Sequence, residues 1–297
     1  MYNSASYLHE FYNRIKSSLA KLEKEYEIIF VNDGSPDQSL QVSLQIKELD
    51  SAVRVIDLSR NFGHHKAILT GLDCSSGELV FLIDCDLEEP PELLIEFYDV
   101  LMKEHQYDVI YGVQDKRDGN WFKRMAGSAF YRLFNKLSGQ KIPQNPCTVR
   151  LMTRQYVDNL LMFKDKNVFL AGLFEVVGFS QKSVVISKKF KGQSSYNLVR
   201  KFALMLDGIT SFSARPLMLI VIGGLFIAIL SLIYAIYLVI RRLLFQYVVD
   251  GWTSLIVSIW FFSGLILISI GIVGVYVSKI YIEAKDRPYS VIRKDYQ

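Results

Sequence analysis

The sequence predicts an α/β domain followed by two membrane-spanning helices. Strand-like apolar runs alternate with amphipathic helical patterns through residues 1–195. Two later stretches, residues 217–240 and 253–278, contain no charged residue. Each exceeds the roughly 20 residues that a helix needs to cross a bilayer core. Both lie near the C-terminal end, so neither is a signal peptide.

The alternation in the first domain is typical of an α/β fold with a mostly parallel sheet. The first helix covers about residues 5–25, because its apolar residues fall on one face. The second helix ends near Leu49, and the third ends at a C-cap after Cys74. The fourth begins at Pro91, since proline suits a first helical turn. The predicted strands are Tyr26–Val31, Val53–Leu58, Leu79–Ile83 and Asp108–Gly112.

Two basic amphipathic segments interrupt this alternation. Residues 119–139 carry an apolar stripe widened by aromatic rings, and residues 197–213 lie directly before the first span. Such composition is typical of membrane-surface helices, although a core-facing helix explains residues 119–139 equally well. The predicted organisation is a large domain at 1–195, an interfacial segment at 196–216, a two-helix anchor at 217–278 and a tail at 279–297.

The basic residues indicate how the chain is oriented. Two crossings place the large domain and the tail on the same side. Both are rich in Lys and Arg near the spans, whereas the loop between the spans has only Arg241 and Arg242. The positive-inside rule therefore predicts a cytoplasmic domain. The three cysteines show no pairing or metal spacing, which fits that reducing side. A net charge of +4 is too small to imply nucleic-acid binding.

Two acidic residues, Asp84 and Asp86, follow the apolar run of the third strand. Ligands of open α/β sheets bind beyond the carboxyl ends of the strands. Two carboxylates in such a partly dry crevice cost free energy unless they are neutralised. A divalent cation held against a diphosphate would neutralise both, whereas a solvated acidic loop is the alternative explanation.

Four segments stand in a fixed order along the chain: Val31–Ser35, Ser59–Gly63, Ile83–Leu87 with Pro90–Glu92, and Val149–Met152. Together they resemble the family 2 inverting glycosyltransferases, which have the GT-A fold. Within that family the chain is similar to the polyprenyl-phosphate glycosyltransferases, the group of dolichol-phosphate mannose synthase and the GtrB-type enzymes. The resemblance includes the paired C-terminal spans and implies a Rossmann-like nucleotide-sugar domain.

The resemblance implies a UDP- or GDP-sugar as donor. Tyr2, Asn3 and Asp33 match family positions at the nucleotide base, although Ser4 replaces the usual acid. The family strand that precedes Tyr2 has no counterpart here, so a truncated start or an internal Met1 is expected. That expectation puts base recognition and the centre of the sheet in question.

The resemblance also implies Mg²⁺ or Mn²⁺ as cofactor. Asp84 matches the acid near the ribose and diphosphate, and Asp86 matches the metal ligand. Glu88 stands where the family often has a residue that approaches the metal. Lys191 and Ser194 belong to a stretch similar to a mobile loop that closes over the donor. These ligand types agree with Mg²⁺, which takes oxygen ligands and completes its shell with substrate phosphates.

The implied acceptor is a polyprenyl phosphate, specifically undecaprenyl phosphate. Arg150 matches the family arginine and is expected to bind that phosphate, with Arg117 and Arg124 as further candidates. For Arg124 a lipid-headgroup contact is the alternative. Thr148 replaces the family's proposed general base, but a phosphate monoester is already largely dianionic at neutral pH and needs no base. Glu175 is a weaker candidate for the acceptor side.

The function expected from these residues is metal-dependent transfer of a sugar to the lipid phosphate with inversion. Asp84, Asp86 and Arg150 are the expected catalytic residues. The product would serve cell-envelope glycans such as lipopolysaccharide, and the enzyme would be a multi-pass protein of the bacterial inner membrane. A homo-oligomer through the spans is compatible with the sequence.

Two alternatives remain open from the sequence. A membrane scaffold or flippase partner with a decayed transferase domain would explain Ser4 and Thr148. A polysaccharide synthase of the same fold is disfavoured, because none of the three tryptophans follows an arginine. His64 and His65 lack a partner at metal-ligand spacing, so a structural or exposed role is expected for them.

Overall fold

The computed structural model describes residues 1–114, 146–187, 208–210, 213–245 and 251–297. Within these residues, the strands form two sheets that share a hydrophobic core, and two long apolar helices follow. The predicted amphipathic segment at 119–139 lies outside the described residues, as does most of the segment at 197–213.

The strands begin and end close to their predicted bounds. The second strand, Val53–Leu58, matches its prediction residue for residue, and the ends of the other predicted strands differ by at most two residues. The described strands are β1 Ile28–Asn32, β2 Val53–Leu58, β3 Leu79–Leu82, β4 Val109–Gln114, β5 Pro146–Thr153, β6 Gln181–Ile186 and β7 Ile292–Tyr296. The sequence did not predict β5, β6 or β7.

The helices in the first domain cover the strands, and the last two stand apart from them. The described helices are α1 Leu8–Leu22, α2 Ser39–Leu49, α3 His64–Asp73, α4 Leu93–Lys103, α5 Arg154–Leu161, α6 Leu170–Val176, α7 Arg215–Phe245 and α8 Trp252–Ala284. Thr153 caps α5 by accepting the N–H of Tyr156, which satisfies one of the unpaired amides of the first turn.

The prediction of one mostly parallel sheet is wrong. The described strands form a three-stranded sheet in the order β1-β2-β7 and a four-stranded sheet in the order β3-β5-β4-β6. Only β1–β2 and β4–β6 pair in parallel, while β2–β7, β3–β5 and β4–β5 pair antiparallel. Helical crossovers produce parallel neighbours, but β5 and β7 return to the sheets after long stretches of chain and run against their neighbours.

One hydrophobic core joins the two sheets. Phe30 of β1 and Leu151 of β5 belong to the same buried cluster. The face of α1 predicted from its apolar spacing lies in this cluster, with Leu8, Phe11 and Ile15 each at most 5% exposed. Full burial of such side chains contributes about 1.5–3 kcal/mol each, so α1 is held to the sheets through this face.

The helices α7 and α8 confirm the two predicted apolar spans. Arg215–Tyr234 has a mean hydropathy of 2.7 and Leu255–Ala284 one of 2.5, and no residue of either stretch is buried inside the protein. Both helices are long and apolar enough to cross a membrane. Exposed apolar surface of this extent requires a lipid or protein environment.

The chain after α8 returns to the first domain as β7. β7 pairs antiparallel with β2, and the Ser59 N–H donates to the Val291 carbonyl oxygen at 2.9 Å. The Arg54 guanidinium donates to both carboxylate oxygens of Asp295, at 2.9 and 2.6 Å. Because β7 is bonded to the domain that precedes α7, that domain and the tail lie on the same side of the helix pair.

We expect Asp295→Asn to lower the free energy of unfolding by about 1 kcal/mol, since the pair with Arg54 is bidentate and only partly exposed. The hydrogen bond from Arg54 lowers the pKa of Asp295. The stabilisation is therefore present above the ordinary carboxyl pKa of about 3.9. It is lost as the pH falls through the lowered pKa.

The measurement is thermal unfolding of the full-length chain in detergent between about pH 3 and pH 8. Asp158→Asn is the matched control, because its pair with Arg154 is exposed and contributes only about 0.3 kcal/mol. Equal stability of wild type and Asp295→Asn at pH 7 would show that β7 is held without this ion pair.

Candidate active site

Asp33 lies at the carboxyl end of β1 and holds the loop that follows β2. Its side chain is buried, and its two oxygens accept the N–H groups of Phe62 (2.7 Å) and Gly63 (3.0 Å). Gly34 follows with a φ of +60°, and a Cβ there would lie 2.4 Å from the backbone nitrogen of Asn61. Only glycine permits this approach, so β1 and the loop form one packed edge.

The first residues of the chain lie against the same edge. The Met1 nitrogen donates to the Val31 carbonyl oxygen at 2.5 Å, and the Asp33 N–H donates to the Met1 carbonyl oxygen at 3.0 Å. The Asn3 N–H donates to the Ser35 hydroxyl at 2.8 Å. The structure thus brings Tyr2, which is half exposed, and Asn3 to the same end of β1 as Asp33.

The loop after β3 carries Asp84 and Asp86. β3 ends at Leu82, two residues before Asp84. Asp86 Oδ1 accepts the N–H of Glu88 at 3.0 Å, which closes a tight turn. Leu87 is buried in the core with a φ of +62°, a conformation that costs about 1–2 kcal/mol outside glycine. Burial of this leucine therefore keeps the two acidic residues at the surface of the loop.

A divalent cation fits the residues of this loop. Asp84 and Asp86 are both partly exposed, and Glu88 lies beside them with its backbone bonded to Asp86. Among the described residues, no group of three or more His, Cys, Asp or Glu is arranged to hold a metal by itself. Mg²⁺ typically takes one or two carboxylates and completes its shell with substrate phosphates and water, which matches this sparse donor set.

Arg150 lies on β5 directly beside the end of β3, opposite Leu82 in the strand register. Its side chain is only 4% exposed. Its Cζ lies 3.2 Å from the centre of the Phe174 ring, a cation–π contact that replaces part of its hydration. Burial lowers the pKa of Arg150 to about 10, so the guanidinium remains charged at neutral pH.

A cavity of about 200 Å³ opens between Arg150 and α3. Its described lining includes His64, Thr148, Arg150, Phe174, Glu175 and Gln181. His64 connects this cavity to the acidic loop, since its Nε2 lies 3.6 Å from Asp84 Oδ1. The structure therefore brings Asp84, Arg150 and His64 to one site.

His65 has a different role from His64. Its Nδ1 lies 3.2 Å from the Val168 carbonyl oxygen, and burial lowers the pKa of its imidazole. A neutral ring that donates to a carbonyl is a structural contact. The expected structural or exposed role agrees with the carbonyl contact of His65 and with the exposure of His64. His64 also lies at the site, because α3 begins beside Asp84.

Four of the predicted site residues cannot be placed. Lys191 and Ser194, expected at the donor, and Arg117 and Arg124, expected at the acceptor phosphate, lie outside the described residues. The sequence analysis assigned neither His64 nor Gln181 to the site. One signal could have indicated His64, because it directly follows Asn61–Gly63, which belongs to the four ordered segments of the sequence.

Residues 1–161 match Glycosyl transferase family 2, and the chain belongs to that family. The predicted family, the GT-A fold and the enzyme class are thereby confirmed. A relative named "Putative glycosyltransferases" from Mycobacterium tuberculosis (strain CDC 1551 / Oshkosh) is 45% identical over 296 residues, which is 100% of this chain and 86% of that protein.

A second relative, the "Bactoprenol glucosyl transferase" of Shigella phage SfII, is 36% identical over 303 residues, covering 100% of this chain and 96% of that protein. Among solved structures, mannosyl-3-phosphoglycerate synthase from Rubrobacter xylanophilus has a TM-score of 0.48 at 16% identity, covering 73% of this chain and 72% of that one.

We expect Asp33→Asn to destabilise the protein by about 2 kcal/mol, because an asparagine can accept only one of the two amide N–H groups and would aim its own NH₂ at the other. Thermal unfolding of the full-length chain measures this loss. Asp73→Asn, at an exposed position, is the control. An unchanged unfolding temperature in Asp33→Asn would mean that the loop after β2 does not depend on this carboxylate.

Proposed function

We propose that the protein transfers a sugar from a UDP- or GDP-sugar to a polyprenyl phosphate at the bacterial inner membrane, with inversion at the anomeric carbon. The acceptor class is supported by relatives named bactoprenol glucosyl transferase that match the whole chain at 36% identity. The product would supply the synthesis or modification of cell-envelope glycans.

The observation that carries this proposal is the placement of Arg150. A nearly fully buried guanidinium lines a cavity whose mouth is bordered by His64 and, through it, by Asp84. An arginine binds phosphate oxygens through two parallel N–H groups. The site therefore has one edge suited to the nucleoside diphosphate of the donor and one cation suited to the phosphate of the acceptor.

Asp86 and Glu88 would hold Mg²⁺ or Mn²⁺, with Asp84 near the ribose and diphosphate of the donor. When bound, the metal would neutralise the charge that grows on the nucleoside diphosphate as the glycosidic bond breaks. Asp33 would act indirectly, by keeping the loop after β2 in the shape that receives the nucleotide base. Tyr2 and Asn3 border that same edge, where they can contact the nucleotide.

Thr148 does not weaken this proposal, although it replaces a carboxylate. The second pKa of a phosphate monoester lies near 6, so the acceptor is largely dianionic at neutral pH. It can attack the anomeric carbon without losing a proton. What it needs is a fixed position and compensation of its charge, and Arg150 supplies both from the rigid strand β5. Attack from the face opposite the departing diphosphate inverts the anomeric centre.

The two long helices suit a substrate that stays in the bilayer. α7 and α8 would cross the membrane once each, and the pairing of β7 with β2 keeps the first domain and the tail on one side. The excess of Lys and Arg on that side supports a cytoplasmic orientation, where nucleotide sugars are available. The lipid phosphate would then reach Arg150 from the membrane surface.

We expect Asp86→Asn to reduce transfer by about a hundredfold or more, because loss of a metal ligand removes several kcal/mol of charge stabilisation. The assay uses membranes, labelled nucleotide sugars and undecaprenyl phosphate, with and without Mn²⁺. Asp99→Asn, exposed on α4, is the control for loss of one charge. Full metal-dependent transfer by Asp86→Asn would contradict the metal assignment.

Arg150→Lys should raise the KM for undecaprenyl phosphate about tenfold while leaving the affinity for the nucleoside diphosphate unchanged. Lysine keeps the charge that compensates the buried surroundings but lacks the planar pair of donors. Steady-state kinetics at varied lipid concentration give the result, with the exposed Arg287→Lys as control. An unchanged KM for the lipid would remove the proposed contact between Arg150 and the acceptor.

A further inference from the structure

Two side chains that carry hydrogen-bond acceptors stand among the residues that line the cavity beside Arg150. Glu175, on α6, and Gln181, at the start of β6, both line it. Within the described part of the chain, Glu175 forms no ion pair at 4.0 Å or less. Among the same residues, the Gln181 Oε1 atom is buried without a hydrogen-bond partner. We call these two side chains the acceptor wall, where acceptor means a hydrogen-bond acceptor and not the lipid acceptor substrate.

The orientation of the acceptor wall is held by its neighbours. The Phe174 carbonyl oxygen accepts the Tyr156 hydroxyl at 2.9 Å and the Gln181 Nε2 at 2.6 Å. The second bond fixes which way the Gln181 amide points, because only its NH₂ can donate to a carbonyl. The Phe174 ring is covered by Arg150. Glu175 therefore follows a residue whose ring and carbonyl group are both held in place.

The chemistry of the acceptor wall differs from that of Arg150. A phosphate dianion brings only acceptors and negative charge, so it would be repelled by Glu175 and would leave Gln181 Oε1 without a donor. Burial raises the pKa of Glu175, while Arg150 opposes that shift. A desolvated acceptor gains most from a ligand that donates hydrogen bonds. Sugar hydroxyl groups are such donors, and they carry no charge.

We propose that Glu175 and Gln181 bind hydroxyl groups of the transferred sugar, and that Glu175 thereby selects which sugar nucleotide is used. The inference rests on the proposed function, since it names the part of the donor that occupies the cavity. Arg150 and the acceptor wall then divide one cavity between them. Arg150 binds the phosphate of the lipid substrate. Glu175 and Gln181 bind the sugar that this phosphate attacks.

The test compares wild type and Glu175→Gln as full-length proteins in detergent. First, binding of UDP, UDP-glucose, UDP-galactose, UDP-N-acetylglucosamine and GDP-mannose is measured by competition. Second, transfer to undecaprenyl phosphate is measured for each donor. Glutamine keeps the shape of the side chain but removes the charged acceptor, so the fold is retained. Glu48→Gln, exposed on α2, is the matched control.

We expect Glu175→Gln to weaken binding of the preferred sugar nucleotide about 10- to 100-fold, the usual contribution of a hydrogen bond to a charged group. Affinity for UDP alone and the KM for undecaprenyl phosphate should not change. The ratio of kcat/KM values between donors should shift, because specificity is a difference in transition-state binding.

Three results would overturn the inference. Unchanged binding of every sugar nucleotide would mean that Glu175 does not contact the sugar. An equal loss for UDP alone would show a general disturbance of the donor site. A change confined to the KM for the lipid would place Glu175 on the acceptor side. If wild type binds sugar nucleotides more tightly than UDP but transfers nothing to the lipid, the proposed function fails while the binding comparison still tests Glu175.

Discussion

The buried charge of Arg150 is the constraint on which the site depends. Removing a guanidinium from water costs several kcal/mol unless the protein replaces the lost hydration. β5 places this residue between β3 and β4, and the ring of Phe174 covers it. The carboxylates of Glu175 and Glu89 interact favourably with its charge. The strand order, the position of α6 and the shape of the cavity therefore all follow from accommodating one cation.

The acidic residues of the site fall into two groups with different physical roles. Asp33 and Glu89 are buried and accept backbone N–H groups, so they hold loops in place. Asp84 and Asp86 follow a strand end and remain partly exposed, and Asp84 lies beside His64 of the cavity lining. A carboxylate such as Asp33, whose two oxygens both accept amide N–H groups, is a poor ligand for a cation, whereas a partly solvated carboxylate is available. The backbone thus separates a carboxylate that holds a loop in place from carboxylates that remain available to a ligand.

Local sequence patterns predicted many helices and strands, but they did not predict the pairing of strands that are far apart in the chain. The apolar period of α1, the runs of β1 to β4 and the charge-free spans are visible within 10 to 30 residues of sequence, so their positions followed directly. The antiparallel entry of β5 and the return of β7 depend on partners far along the chain, which no local pattern encodes. Among site residues, Asp84, Asp86 and Arg150 stood in recognisable motifs. Gln181 did not, because an amide at the start of a strand resembles any other polar residue.

The return of β7 to β2 has a consequence for how the protein is made. Arg54 and Asp295 are 241 residues apart in sequence, and both apolar helices lie between them. β7 follows both helices in the chain, so the three-stranded sheet can close only after both helices have been synthesised. Contacts of such high separation form late and slowly. Completion of the three-stranded sheet therefore waits for both apolar helices, and a chain that stalls before β7 keeps an open β2 edge exposed to chaperones and proteases.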